Sequence, residues 1–377
     1  MPLQHWGFNN PVNIHFGTGC RTALAARLTG QKLLVVTTAR GRAQFTADSA
    51  LGTIQADLTW VDSVTPNPGL TETQIEIDRL AGQDFDAVLA FGGGSAMDAA
   101  KALAAALTPG LACRDLGQLI AAPAVHLDRP LLPIHAITTT SGTGAEVTPF
   151  ATIWDHQNRK KLSLASPRLF PATAIVDPEL THDLPYMATL GTSLDAMNQA
   201  FESVWNRNRS PVTTLMAARA IGLALEAIPR LHAALNDHDA RAMIAEASLL
   251  AGICISQTRT ALCHSMSYPL TAHFGISHGL ACAATMSAVA HAVLAEASEG
   301  LAEVAEMNGL PDPSALVAEL DAVLALVDLR RLVATELPAM EAVLSLRGEM
   351  YTPGRADNFI LPLDQDLLGQ VIVQLYD

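Results

Sequence analysis

The chain has 377 residues, half of them hydrophobic and 16% charged, with a formal net charge of −14. That length allows two domains with ample core, and the negative balance argues against nucleic acid or an anionic membrane as a partner. No uninterrupted apolar run reaches the about 18 residues of a membrane span, the first six residues carry no basic and apolar leader, and the five cysteines form no CxxC pair, so a cytoplasmic protein with reduced thiols is expected.

Up to about residue 180, short apolar runs alternate with helical stretches and Gly/Pro breaks, the pattern of an α/β domain with a parallel sheet. The runs are Leu33 to Thr38, Ala87 to Phe91, Leu131 to Thr138 and Ala174 to Val176. Two of them end in loops of small residues. Phe91-Gly92-Gly93-Gly94-Ser95 precedes a run of helix formers from Ala96 to Leu107. A strand, three glycines and a helix N-terminus set bare backbone N–H groups against a phosphate. Thr138-Thr139-Thr140-Ser141-Gly142-Thr143-Gly144 follows the next strand, where hydroxyls and glycines suit a dinucleotide at the carboxyl edge of the sheet. Gly93, Gly94, Ser95, Thr138, Thr139, Ser141 and Thr143 are the nucleotide-binding candidates.

From Leu184 onward Ala, Leu, Met and Glu recur at helical spacing, as in Thr214 to Leu235 and Ala240 to Ile255. The expected division is an α/β nucleotide-binding domain over 1–180 and an all-helical metal and substrate domain over 181–377, with the active site in the cleft between them. Asp195 and Gln199 stand four apart, so a helix projects both from one face, about 5–6 Å apart at Cβ. His264 and His278 stand fourteen apart with Pro269 and Gly275 between them, breakers that let the second histidine return on a turn. One carboxylate, one amide oxygen and two imidazoles suit a divalent ion such as Fe²⁺, Zn²⁺ or Mn²⁺.

Taken together, Gly92-Gly93-Gly94-Ser95-x-x-Asp98-x-x-Lys101, Thr139-Thr140-Ser141-Gly142-Thr143-Gly144-x-Glu146-Val147-Thr148, Val176-Asp177-Pro178-Glu179-Leu180, Asp195-Ala196 and His278-Gly279 resemble the iron-containing (group III) alcohol dehydrogenases. Within that family, Phe201 to Asn208 resembles the branch that reduces phosphonoacetaldehyde to 2-hydroxyethylphosphonate. The resemblance implies a dehydroquinate-synthase-like architecture, a homodimer, one divalent metal with Fe²⁺ foremost, and NADPH or NADH as hydride donor to a small aldehyde. It adds Asp98, Asn67 and Lys161 to the nucleotide candidates and Thr148 to the substrate candidates. A general short-chain aldehyde reductase of the same family, a related metal-dependent lyase or polyol dehydrogenase, and a non-catalytic nucleotide-binding relative stand as alternatives.

Two positions depart from the family pattern. Most relatives have histidine where this chain has Gln199, a harder and weaker ligand. Most also have a histidine where this chain has Tyr268, a position cast as proton relay, which leaves Tyr268, His273 or water for that role. NAD-preferring relatives often place an aspartate at the Thr38 position; here Arg40 and Arg42 follow instead and can pair with a 2′-phosphate, so NADPH is expected over NADH. An anionic substrate needs local cations in so acidic a chain. Asn206-Arg207-Asn208-Arg209-Ser210, one to two helical turns beyond Gln199, carry them, with a solvated helix C-terminus as the alternative role.

Overall fold

A computed structural model describes residues 5–376. The chain divides into two compact units, residues 10–183 and residues 184–376, with residues 5–9 grouped with the second. The break therefore falls three residues beyond the expected one, and the segment just before Asn10 belongs with the helical unit rather than with the α/β unit.

The first unit holds a six-stranded, all-parallel sheet of β1 (Asn13–Phe16), β2 (Lys32–Val36), β3 (Asp57–Val61), β4 (Ala87–Gly92), β5 (Ile134–Thr138) and, after the hairpin β6 (Phe150–Asp155) and β7 (Lys160–Ala165), β8 (Thr173–Val176). The spatial order is β1-β8-β5-β4-β2-β3, and β6 and β7 form a separate two-stranded antiparallel sheet, with Trp154 of β6 also bridging Gly69. The four interior strands are the apolar runs read from the sequence; the edges β1 and β3 are shorter on apolar residues and were not read. Side chains alternate across the sheet. Leu34, Val36, Val88 and Ala90 enter one buried cluster, and Leu33, Val35, Leu89 and Phe91 enter another. The helices of this unit are α1 (Arg21–Arg27), α2 (Ala39–Ala47), α3 (Leu70–Leu80), α4 (Gly94–Leu107), α5 (Leu116–Ala121) and α6 (Pro123–His126). Nearly all of α4 is buried. Its alanines let it lie close on the sheet.

In the second unit no described residue is in a strand. Its helices are α7 (Tyr186–Val204), α8 (Pro211–Ala233), α9 (His238–Thr258), α10 (Leu262–Phe274), α11 (His278–Glu296), α12 (Glu299–Met307), α13 (Pro313–Leu326), α14 (Leu329–Ala334), α15 (Met340–Ser345) and α16 (Gln365–Val373). Helices α8 and α11 are long and apolar enough to cross a membrane, although no such segment was read from the sequence. More than half of each apolar window is buried inside the protein, as in core helices. Pro269 does not break its helix. α10 runs through it to Phe274 and ends at Gly275, whose left-handed backbone (φ 77°) suits a residue without a side chain.

Candidate functional site: a phosphate loop and a metal pocket

In the α/β unit the loop geometry comes from glycines. Gly92 ends β4 at φ 153°, Gly93 precedes α4, and no side chain caps the first amides of that helix. Those N–H groups are the donors a phosphate uses. The Thr-rich loop lies beside them, because Gly92 pairs in register with Thr138 and Thr139 N donates to Gly92 O at 3.0 Å. A Cβ at Gly93 would sit 2.8 Å from Thr140 Oγ1, and one at Gly94 would sit 2.6 Å from Thr143 Cγ2. The two loops fit together only because both positions are glycine.

Several predicted nucleotide residues carry internal bonds here. Ser95 Oγ accepts from Asn67 N at 3.2 Å, which ties the adjacent loop, with Asn67 at φ 59°, to the start of α4. Ser141 and Thr139 are buried, and Thr138 Oγ1 donates to Thr140 O at 2.8 Å. Thr143 Oγ1 accepts from Ala145 N at 3.3 Å. Asp98 Oδ2 accepts from Thr152 N at 3.0 Å, bracing the hairpin. Thr148, read as a substrate residue, accepts from the fully buried Lys101 Nζ at 3.3 Å, and that ammonium also donates to Phe150 O at 2.8 Å. Burial pulls Lys101 down to about 8 against the pull of Asp98 and Glu146. Burial likewise pushes Glu146 up to about 7. Lys161 stands on β7 opposite Trp154, away from the Gly-rich turn in sequence and register.

At the end of β2, Thr38 caps α2, its Oγ1 accepting from Gly41 N at 2.9 Å. Arg40 donates to Asp183 O at 2.8 Å. Arg42 pairs with Asp62 at 2.8 Å and lies over the Trp60 ring.

In the helical unit, α7 brings Asp195, Gln199 and Glu202 to one buried face, α10 brings His264, and α11 opens with His278 and carries Cys282 one turn later. Asp195, His264, His278 and Cys282 offer ligand atoms that all lie within 4.8 Å of one another. Asp195 Oδ1 is 3.3 Å from His264 Nε2. Asp195 Oδ1 and Gln199 Oε1 are buried without a hydrogen-bond partner, an arrangement that a bound cation resolves. A carboxylate, two imidazoles and a thiol fit a borderline divalent ion.

Glu202, fully buried, aligns this pocket. Its Oε2 accepts from His264 Nδ1 at 2.7 Å and from Ala261 N at 2.8 Å, and its Oε1 accepts from His264 N at 3.0 Å. With Nδ1 so engaged, His264 turns Nε2 toward Asp195, the carboxylate–histidine arrangement that orients metal ligands. Burial would raise the Asp195 carboxyl, but the His264 and His278 imidazoles outweigh it and hold it below the usual carboxylate range. Burial would lower His264, yet Cys282, Glu202 and Asp195 keep it well above the usual histidine range. The His278 ring is 5.3 Å from that of His264, and Tyr268 stacks on it at 6.3 Å. Helices α7 and α11 touch backbone to backbone at this level: a Cβ at Gly279 would overlap the Gly191 carbonyl.

The remaining predicted residues make their bonds outside this cluster. His273 pairs with Glu349 at 3.1 Å. The 206–209 segment does not extend α7, which ends at Val204. Asn206 is buried and donates to Arg259 O at 3.2 Å; Asn208 donates to Thr258 O and to Asn358 Oδ1. Arg207 Nε donates to Phe359 O at 2.7 Å, and Arg209 pairs with Glu303 at 3.1 Å. Glu202 and Cys282 escaped the sequence reading, although Glu202 stands seven after Asp195 and Cys282 four after His278, the same one-face spacing that singled out Gln199.

The chain thus joins a parallel-sheet unit carrying a glycine-rich loop to a helical unit carrying an Asp/His pocket, and both parts match one family. The family model for iron-containing alcohol dehydrogenase matches residues 11–178, and the model for the C-terminal part of the same family matches residues 189–338. The chain is 40% identical over 203 residues to a phosphonoacetaldehyde reductase of Streptomyces viridochromogenes, covering 53% of this chain and 51% of that one. It is 32% identical over 280 residues to an NADPH-dependent butanol dehydrogenase of Clostridium saccharobutylicum, covering 73% and 70%. The crystal structure of sulfoacetaldehyde reductase from Bifidobacterium kashiwanohense in complex with NAD+ superimposes with a TM-score of 0.86 at 28% identity, covering 99% of both chains. The chain belongs to the iron-containing alcohol dehydrogenase family. Among the curated relatives, the matched stretch spans about half to two thirds of their length.

Proposed function

We propose that this protein is a metal-dependent, NAD(P)H-linked reductase that converts phosphonoacetaldehyde to 2-hydroxyethylphosphonate. The observation that carries the reading is the convergence of buried Asp195 and His264 with half-buried His278, with Glu202 fixing His264. A divalent ion held there supplies Lewis-acid polarisation of the carbonyl oxygen, and the nicotinamide supplies hydride. Residues 92–95 and 138–143 would hold the dinucleotide through backbone amides, with Thr138, Thr139, Ser141 and Thr143 in the neighbouring loop. Tyr268, stacked on His278, hands a proton from Oη to the product oxygen. His273, already paired with Glu349, is the less suited relay. NADPH is the preferred donor, because no acid stands at Thr38 to repel a 2′-phosphate and Arg40 and Arg42 flank the turn.

Two similarities support the substrate. Phosphonoacetaldehyde and sulfoacetaldehyde, named for two of the relatives, are both two-carbon aldehydes ending in an oxyanion. The chain carries cations beside the metal helices: Arg207 after α7, and Arg259 five residues before His264. Burial and the nearby Arg355 lower the Arg259 guanidinium below its ordinary range, so a neighbouring anion stabilises it. Reconstituting purified protein with Fe²⁺, Zn²⁺ or Mn²⁺ and following NADPH absorbance with phosphonoacetaldehyde and with an uncharged aldehyde of similar size tests the reading. Arg207→Gln or Arg259→Gln should raise KM for the phosphonate far more than for the uncharged aldehyde. Wild-type preference for the uncharged aldehyde would leave a general aldehyde reductase, and inactivity with every aldehyde would leave a nucleotide-binding relative.

A further inference from the structure

Cys282 is one turn along α11 from His278, fully buried, with Sγ 3.8 Å from both His278 ring nitrogens. Ligands about 2.0–2.3 Å from one tetrahedral ion are separated from each other by about 3.3 Å for an oxygen–nitrogen edge and about 3.5 Å for a sulfur–nitrogen edge. The pocket has Asp195 Oδ1 to His264 Nε2 at 3.3 Å and Cys282 Sγ to His278 at 3.8 Å. These two edges are within a few tenths of an ångström of the tetrahedral values, and all four ligand atoms lie within 4.8 Å of one another. Gln199 Oε1, buried and unpartnered on α7, is a neutral oxygen and the weaker donor beside a sulfur already in the cluster. The Cys263 thiol neighbours the same region but is not among the clustered ligand atoms.

Resting on the metal-dependent reading above, we propose that Cys282 Sγ is a metal ligand in this protein, completing an Asp195–His264–His278–Cys282 set. Binding forms one metal–sulfur bond and releases the thiol proton to solvent. A thiolate in the set moves the pocket's preference toward Zn²⁺ and away from Mn²⁺, because soft sulfur favours the former and oxygen donors the latter. Gln199 is then left to contact substrate or to orient Asp195.

X-ray absorption at the zinc edge of the Zn²⁺-loaded full-length protein tests this directly. One sulfur scatterer at about 2.3 Å is expected, kept in Cys263→Ser and lost in Cys282→Ser. The Co²⁺-loaded protein should show a thiolate-to-cobalt charge-transfer band with the same dependence, and Cys282→Ser should narrow the Zn²⁺-over-Mn²⁺ preference measured by competition. A wild-type spectrum with only nitrogen and oxygen scatterers would overturn the assignment while leaving the metal-dependent reading intact. Sulfur retained in Cys282→Ser would overturn it too. Failure of wild type to take up any of the three metals would remove both readings. The wild-type spectrum decides the matter even if Cys282→Ser does not fold.

Discussion

The phosphate loop and the metal pocket are built from opposite materials. In the proposed reading the working groups of the α/β unit are backbone amides, and side chains near them serve to hold loops: Ser95 on Asn67, Thr138 on Thr140, Asp98 on Thr152. In the helical unit the working groups are side chains from three helices, and the backbone serves to bring them close. A substitution in the first region therefore acts by shape, and one in the second acts by chemistry. The same mutational size should read out differently in the two places.

The sharpest contrast is expected from His278→Ala and His264→Ala. Each should drop metal content, measured by elemental analysis, and turnover to background while circular dichroism stays as in wild type; normal metal content in both would break the comparison. Glu202→Gln comes next. An amide keeps only one acceptor oxygen, so if it still accepts from Ala261 N and His264 Nδ1 its N–H₂ faces the His264 N–H, and loss of such an orienting partner costs about 10–100-fold in metal affinity. Chelator competition measures it, and an unchanged affinity would show that Glu202 only fills space.

On the other side, Gly94→Ala adds a methyl that meets Thr143, an overpacking cost on the order of 1–3 kcal/mol. Tm should fall accordingly, and dinucleotide affinity by calorimetry should fall as the loop shifts, with metal content untouched. Smaller again is Thr38→Asp, which should lower the NADPH/NADH ratio of kcat/KM several-fold, on the order of 1 kcal/mol for a solvated like-charge contact; no change would place Thr38 away from the ribose. The mildest is Glu146→Gln, which sharpens the comparison through stability alone. Glu146 is raised by burial from 4.5 to about 7, so the folded state binds its proton more tightly. Its contribution is present below pH 4.5 and is lost as pH rises to about 7. Between pH 5 and 7 the Tm of the variant should therefore fall less than that of wild type.

The contrast also explains what could be read from the chain alone. The four interior strands announce themselves because both faces are buried, giving continuous apolar runs such as Ala87 to Phe91. The edges β1 and β3 are half exposed and blend with loops. Glycine loops are legible because their composition is local. The pocket was legible only where spacing is local, as for Asp195 and Gln199. Glu202 and Cys282 do stand at one-face spacing from Asp195 and His278, but what distinguishes them from other helix residues is His264, 62 and 18 positions away, and spacing along one helix does not show that partner. Pro269 misled for a related reason: a helix held by packing on its flanks tolerates a missing amide that an isolated helix does not.

The contact of Gly279 with Gly191 has a kinetic side. With two backbones touching, α7 and α11 behave as a single plate carrying Asp195 and His278 at fixed separation. Escape of a bound ion must then proceed by breaking donor bonds one at a time inside a pocket that keeps its width. Slow exchange would follow from two residues that contribute no donor atom at all.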